Sequence, residues 1–122
     1  MRDILIIKRK WLDKFFHGGK CLEIRGSNTN KRGLIDLAES GSSLIRGYCR
    51  LDNSYPIQNE EHWEELKEFH QVDISWNELK KHYKKPHAWV FVDIHEYNEP
   101  KPYIHPQGAV IWVKAEKGKG QE

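Results

Sequence analysis

Three ionisable side chains, Lys20, Glu23 and Arg25, follow a double glycine within one octapeptide, Gly18-Gly19-Lys20-Cys21-Leu22-Glu23-Ile24-Arg25, which reads G-x-K-x-x-E-x-R. A lysine here can hold a phosphate as a point charge, or act as a base if burial lowers its pKa. The planar fork of Arg25 suits an anion such as phosphate. Glu23, two residues earlier on the same strand face, can pair with Arg25 and orient Lys20. As an exposed structural pair the two would contribute under about 1 kcal/mol. A further carboxylate, Glu78, sits in Ser75-x-x-Glu78. That spacing is a helix capping box, and the same group could serve as a general acid or base.

Around these, Ser27, Asn28, Thr29, Asn30, Lys31 and Arg32 supply hydroxyls, amides and cations, a suitable wall for a nucleotide and equally the composition of an ordinary turn. Tyr83, Trp89 and Tyr103 are candidates to stack a base, an interaction worth about 1–3 kcal/mol. Trp11, Trp63, Trp76 and Trp112 are assigned to the core. His82, His87, His95 and His105 lack zinc-ligand spacing, and Cys21 with Cys49 form neither a metal motif nor a disulfide framework. No metal and no cofactor is expected.

These residues need elements to position them. Asp3–Lys8 reads as a first strand. Trp11, Leu12, Phe15 and Phe16 then form the apolar stripe of a short helix over 9–17, which Gly18 and Gly19 stop. From Cys21 to Gly26 a strand is expected, with Leu22 and Ile24 on the core face and Cys21, Glu23 and Arg25 on the other. Gly33–Ala38 and Ser43–Leu51 read as strands, with a possible bulge at Gly47. A helix is expected over Gln58–His70, carrying Trp63, Leu66 and Phe69 inward and acids outward. A second begins at Ser75, presents Trp76, Leu79 and Tyr83, and ends at Pro86. Ala88–Tyr97 alternates as a strand, a proline-studded loop covers Glu99–Gly108, and a last strand runs Ala109–Lys114. The strands and helices do not alternate as βαβ units, which predicts an α+β fold with a small, mostly antiparallel sheet or barrel.

The chain has 122 residues, enough for one domain and one core. The domain is placed at 1–116 and a flexible tail at 117–122. Its 38% hydrophobic and 31% charged content is that of a soluble globular protein. Ile4–Ile7, the apolar run near the start, is too short for a signal peptide or a membrane span. A cytoplasmic or nuclear setting, no membrane partner and a monomer are expected. The net charge of +2 falls short of a dedicated, strongly basic nucleic-acid domain. Distribution matters more: Lys8–Lys10, Lys31–Arg32 and Lys80–Lys85 are basic clusters, whereas Glu60, Glu61, Glu64, Glu65 and Glu68 concentrate acid.

In its ordered motifs the chain resembles an ASCH domain (activating-signal-cointegrator homology), a branch of the PUA-like superfamily. The resemblance rests on K-x-K-W-L-D-x-F-F-x-G-G-K-x-x-E-I-R, then Arg32–Ala38, Ser75–Tyr83, Ala88-Trp89-Val90-Phe91 and Pro106–Trp112 in the same order. It spans nearly the whole chain. It implies a β-barrel of five to six strands flanked by about three short helices, with a cleft beside the signature. It also implies binding of RNA or DNA, and some members are nucleases. A small bacterial branch hydrolyses the acetyl amide of N4-acetylcytidine, using a lysine in the G-x-K position, a threonine three residues later and a glutamate in a helix like Asn77-Glu78-Leu79-Lys80-Lys81. Lys20 and Glu78 match that set, while Glu23 stands at the threonine position.

The leading expectation is therefore recognition of RNA, or of single-stranded or flipped nucleotides, in a cleft. Lys20, Arg25, Lys31 and Arg32 would meet phosphates, Ser27 and Asn28 would form the rim, and Tyr83 or Trp89 would stack a base. The alternative is a hydrolase of modified nucleosides or a ribonuclease, with Lys20 as base, Glu78 as proton donor and Glu23 activating water. A third expectation is a protein-interaction module using the acidic 60–68 helix.

Overall fold

The computed structural model describes residues 2–109 and 111–114. Val110, part of the expected last strand, and the tail set off at 117–122 lie outside the described residues. Among the described residues, six strands form one mixed sheet that curls into a half-barrel, in the order β2-β5-β4-β3-β1-β6. They are β1 (Ile4–Ile7), β2 (Leu22–Arg25), β3 (Gly33–Glu39), β4 (Leu44–Pro56), β5 (His87–Pro102) and β6 (Trp112–Val113). Among the described residues, only β1 and β3 pair in parallel. Four helices, α1 (Arg9–His17), α2 (Glu60–Glu65), α3 (Lys67–His70) and α4 (Trp76–His82), flank the sheet.

All four residues of β1 are buried, because the strand is covered on both sides. Leu5 and Ile7 join the interior cluster with Leu37, Leu51 and Phe91, while Ile4 and Ile6 pack outward against Ala38, Ile45 and Val113. In α1, Leu12 and Phe15 are buried against the interior cluster, and Trp11 and Phe16 are half-buried beside it. Gly18 closes this helix with φ −114°, and Gly19 is the residue that takes the left-handed turn, with φ 80°.

The helix expected over 58–70 breaks at Leu66, whose φ of −90° and ψ of 1° depart from helical geometry. The break lets α2 bury Trp63 while Phe69 stays 43% exposed. Strand β5 runs on through Pro100 and Pro102, where a loop was expected. Beyond Val90 it no longer has β2 beside it and pairs with β4 alone, so proline can sit at the unpaired edge. Asp93, with φ 52°, lies where the β4–β5 register slips. The slip changes the alternation, so Ile94 joins Trp89 and Phe91 against one cluster, where strict period two would have turned it away.

The register Glu23↔Trp89 and Ile24↔Ala88 corrects the expected faces of β2. Leu22 and Ile24 pack under α2 and α4 with Ile57, Trp63 and Leu79. The opposite face, expected to be free of the core, turns into the half-barrel, and Glu23 is only 5% exposed there. Among the described residues, no helix is long and apolar enough to cross a membrane.

Candidate functional site

Lys20 stands between the end of α1 and the start of β2, and it is 1% exposed. Its ammonium donates to the backbone carbonyl of His70. It also lies 4.8 Å from the Trp11 ring centroid and 5.0 Å from that of Phe15. Burial lowers its pKa to about 8 against the opposing influence of Glu23. A lysine so placed is a cation at neutral pH that water solvates poorly, and it is within reach of acting as a base.

The segment 69–71 clasps this corner at three points. The N–H of Cys21 donates to the Phe69 carbonyl at 2.9 Å, Lys20 donates to His70, and the Gln71 side chain donates to the Gly18 carbonyl at 2.6 Å. His70 is itself fixed. The Val72 N–H donates to its Nδ1 at 2.9 Å, so Nε2 carries the hydrogen facing the Trp63 carbonyl at 3.0 Å. The imidazole stacks on Trp63 with 3.7 Å between centroids, and burial lowers its pKa to about 4. It is thus a neutral, structural histidine.

Arg25 donates through Nε to Glu23 at 2.7 Å and through one terminal nitrogen to the Ile6 carbonyl at 3.0 Å. The side chains are 17% and 6% exposed, so the pair is a largely buried one. Its role is to hold the guanidinium at a fixed place, 5.6 Å from the Trp89 ring centroid.

These groups line a cleft of about 490 Å³ whose walls include Trp11, Lys20, Glu23, Arg25 and Tyr83, with Lys8 at its edge. Three cationic side chains meet one carboxylate there, and that carboxylate is already engaged by Arg25. The cleft is therefore positive although the whole chain is nearly balanced. It suits a planar, anionic molecule.

The other expected site residues are distributed as follows. Glu78 does not line this cleft. Its side chain is 47% exposed and lies 3.8 Å from both Lys81 and His82, while its backbone N–H is capped by Ser75 Oγ at 3.1 Å. Trp89 is 2% exposed, and its indole N–H donates to the Ser27 carbonyl at 2.9 Å. It holds the loop after β2 and, with Ser27 and Asn28, borders a smaller space beside the cleft. Lys31 pairs with Asp3 and sits 5.0 Å from the Trp112 ring centroid. Arg32 donates to the Thr29 carbonyl and to Ser54 Oγ, at 2.9 and 3.1 Å. Both cations fix the loop instead of lining the cleft. Tyr103 packs with the outer cluster and its hydroxyl meets His105 at 2.8 Å. Tyr83, Ser27 and Asn28 do lie at the site, the latter two on a smaller adjoining chamber.

Trp11 and Trp112 pack against the interior cluster, as expected of core residues, and they also border the cleft and its smaller neighbour. The 69–71 clasp has no counterpart in the local sequence pattern. The clasp joins positions about fifty residues apart, a contact no local pattern signals. Among the described residues no group of three or more His, Cys, Asp or Glu side chains could hold a metal ion.

No family model matches the chain, and no curated protein matches it. Solved structures do. The ASCH protein of Zymomonas mobilis superposes with a TM-score of 0.68 at 13% identity, covering 98% of this chain and 90% of that one. A serine-to-alanine variant of it gives 0.70 at 13% identity, with 98% and 91% covered. A tyrosine-to-phenylalanine variant gives 0.69 at 13%, with 98% and 93% covered. At such identity the likeness establishes the architecture: the chain has the α+β fold of an ASCH domain.

Proposed function

We propose that this ASCH-fold chain binds single-stranded nucleic acid, or an unstacked nucleotide, in the cleft between α1, β2 and the end of α4. The observation that carries the reading is Lys20, a lysine 1% exposed that opens onto a positive, aromatic-walled cavity of about 490 Å³. Lysine ordinarily keeps its ammonium in water, so one buried at the wall of a cavity is a marked position. Lys20 and Arg25 both line the cleft, where a phosphate could meet the two cations, and Tyr83 on its wall could stack a base. A concave site reaches a base only when that base is unstacked, so intact duplex is a poor ligand.

Fluorescence anisotropy with labelled single-stranded RNA, single-stranded DNA and the matching duplexes tests this. The expected result is saturable binding of a single strand, weaker for duplex, with a shallow salt dependence. Two phosphate contacts on a single strand give a log–log slope of about −1.4. Equal binding of duplex and single strand would refute the reading.

A second reading is favoured by the lowered pKa of Lys20, which would let it act as a base in hydrolysis of a modified nucleoside. Glu78 does not itself line that cleft but lies 3.8 Å from His82, which does, so in this scheme it would act from behind that side chain. Glu23→Thr, which restores the threonine of the amidohydrolase pattern, should still give no release of acetate from N4-acetylcytidine by mass analysis. Turnover in either form would favour the hydrolase.

A further inference from the structure

A second chamber, of about 240 Å³, adjoins the first, and Arg25 and Tyr83 line both. These two residues form the partition. The smaller space is walled by Trp112, whose ring stacks on buried Trp89 with 5.9 Å between centroids. Its rim is the loop Ser27–Thr29, tied down by the Trp89 indole at Ser27 and by a 2.6 Å hydrogen bond from Ser54 Oγ to Asn28 Oδ1. By itself the smaller chamber falls below the roughly 300–1,000 Å³ of small-molecule sites, so it reads as an extension of the larger one.

Resting on the binding reading above, we propose that the cleft takes two consecutive nucleotides of one strand. One base enters the chamber of about 490 Å³, its neighbour enters that of about 240 Å³, and the phosphodiester between them lies at Arg25. The arrangement of Arg25 fits this role. Its Nε is held by Glu23 and one terminal nitrogen by the Ile6 carbonyl, which leaves the other terminal nitrogen without a partner among the described residues. An immobilised guanidinium with donors to spare recognises a bridging phosphate without losing side-chain freedom on binding. Each chamber also has its own aromatic wall, Trp11 in the larger and Trp112 in the smaller, with Tyr83 between them. Gly26 belongs to the same device. A Cβ there would stand 2.7 Å from Tyr83 Cδ1, so glycine lets the partition ring seat against the chain as it leaves β2.

The test is calorimetric titration of the full chain with the four nucleoside 5′-monophosphates and the four homodinucleoside monophosphates, at one salt concentration. At least one dinucleotide should bind about tenfold or more tightly than its mononucleotide, the factor expected of one additional stacked base. The ratio should fall towards one in Asn28→Asp, which puts a negative charge on the exposed rim of the smaller chamber. It should fall likewise in Trp112→Ala. Asn28→Asp decides if loss of the tryptophan disturbs folding. Dinucleotides that all bind within about twofold of their mononucleotides overturn the two-nucleotide site and leave the binding reading standing. So does an Asn28→Asp variant that weakens both classes equally. If neither class binds, the binding reading falls as well.

Discussion

Replacing Lys20 by methionine should stabilise the protein at neutral pH while abolishing its binding. The lysine is 1% exposed, and its pKa is about 8 in the fold against an ordinary value of 10.5. A gap of about 2.5 pH units corresponds to about 3 kcal/mol held against folding when the group is charged. Methionine of similar length removes that cost. It also forfeits the hydrogen bond to the His70 carbonyl, worth about 1 kcal/mol, and the attraction to the Trp11 face, worth about 0.5–1 kcal/mol. The net expectation is a gain of about 1 kcal/mol at pH 7. The pH dependence is a sharper signature. Between about 8 and 10.5 the unfolded chain holds the Lys20 proton more tightly than the folded one, so the stability of the native sequence rises with pH across that window. Below pH 8 the whole penalty is present. Urea unfolding of both proteins at pH 7 and pH 10, followed by tryptophan fluorescence, subtracts every other titrating group. The advantage of Lys20→Met should shrink by about 2–3 kcal/mol at the higher pH. A difference between the two proteins that is the same at both pH values refutes the assigned burial of the charge.

His70 gives the mirror case on the acid side. It is neutral in the fold with a pKa of about 4, against 6.5 when unfolded, so its contribution is complete above pH 6.5 and is lost as pH falls towards 4. Melting experiments should show stability dropping by about 2 kcal/mol between pH 6.5 and 5, and this drop should be absent from His70→Phe, which is less stable at pH 7 because it leaves the Val72 N–H unpaired. Gly26→Ala should displace the Tyr83 ring, costing about 1–3 kcal/mol and weakening nucleotide binding; an unchanged melting temperature would show that Tyr83 moves aside freely. Arg46, whose side chain is 15% exposed, bonds Asp13, Glu39 and Glu96 together. Burial opposes its charge but the three carboxylates outweigh that, so Arg46→Met should leave them clustered and cost about 2–4 kcal/mol by chemical denaturation.

Much of the architecture could be read from local pattern. The aromatic stripe of α1, the double glycine and the apolar β1 each depend on residues within a turn or two of one another, and each lies where the pattern puts it. The failures share a cause, which is neighbours distant in sequence. Alternation gave β2 two faces but did not tell that both would be covered, one by α2 and α4 and the other by the closing half-barrel. Alternation alone thus sets Glu23 off the core face, whereas the half-barrel leaves it 5% exposed. The prolines of β5 signalled a loop because their tolerance depends on β2 stopping short of them. Trp11 packs on the interior cluster as expected and also borders the cleft, while Trp89 faces Glu23 across the register and is almost wholly buried beside the smaller chamber. The ordered charged signature identified Lys20, Glu23 and Arg25 as neighbours, and they are. Glu78 is not among the side chains lining the cleft, because α4 turns Leu79 and His82 towards it and Glu78 lies behind His82.

Nuclear magnetic resonance titration of the labelled protein with a short single-stranded oligonucleotide tests whether the cleft is the binding site. Saturable shifts are expected there alone: at the Trp11 and Trp112 indoles, the backbone amides of Arg25 and Gly26, and the Tyr83 ring. Shifts centred on the acidic helices α2 and α3, or on the strand pair where the Tyr48 and His95 rings pack 5.1 Å apart, with the cleft signals unmoved, would refute the proposed site.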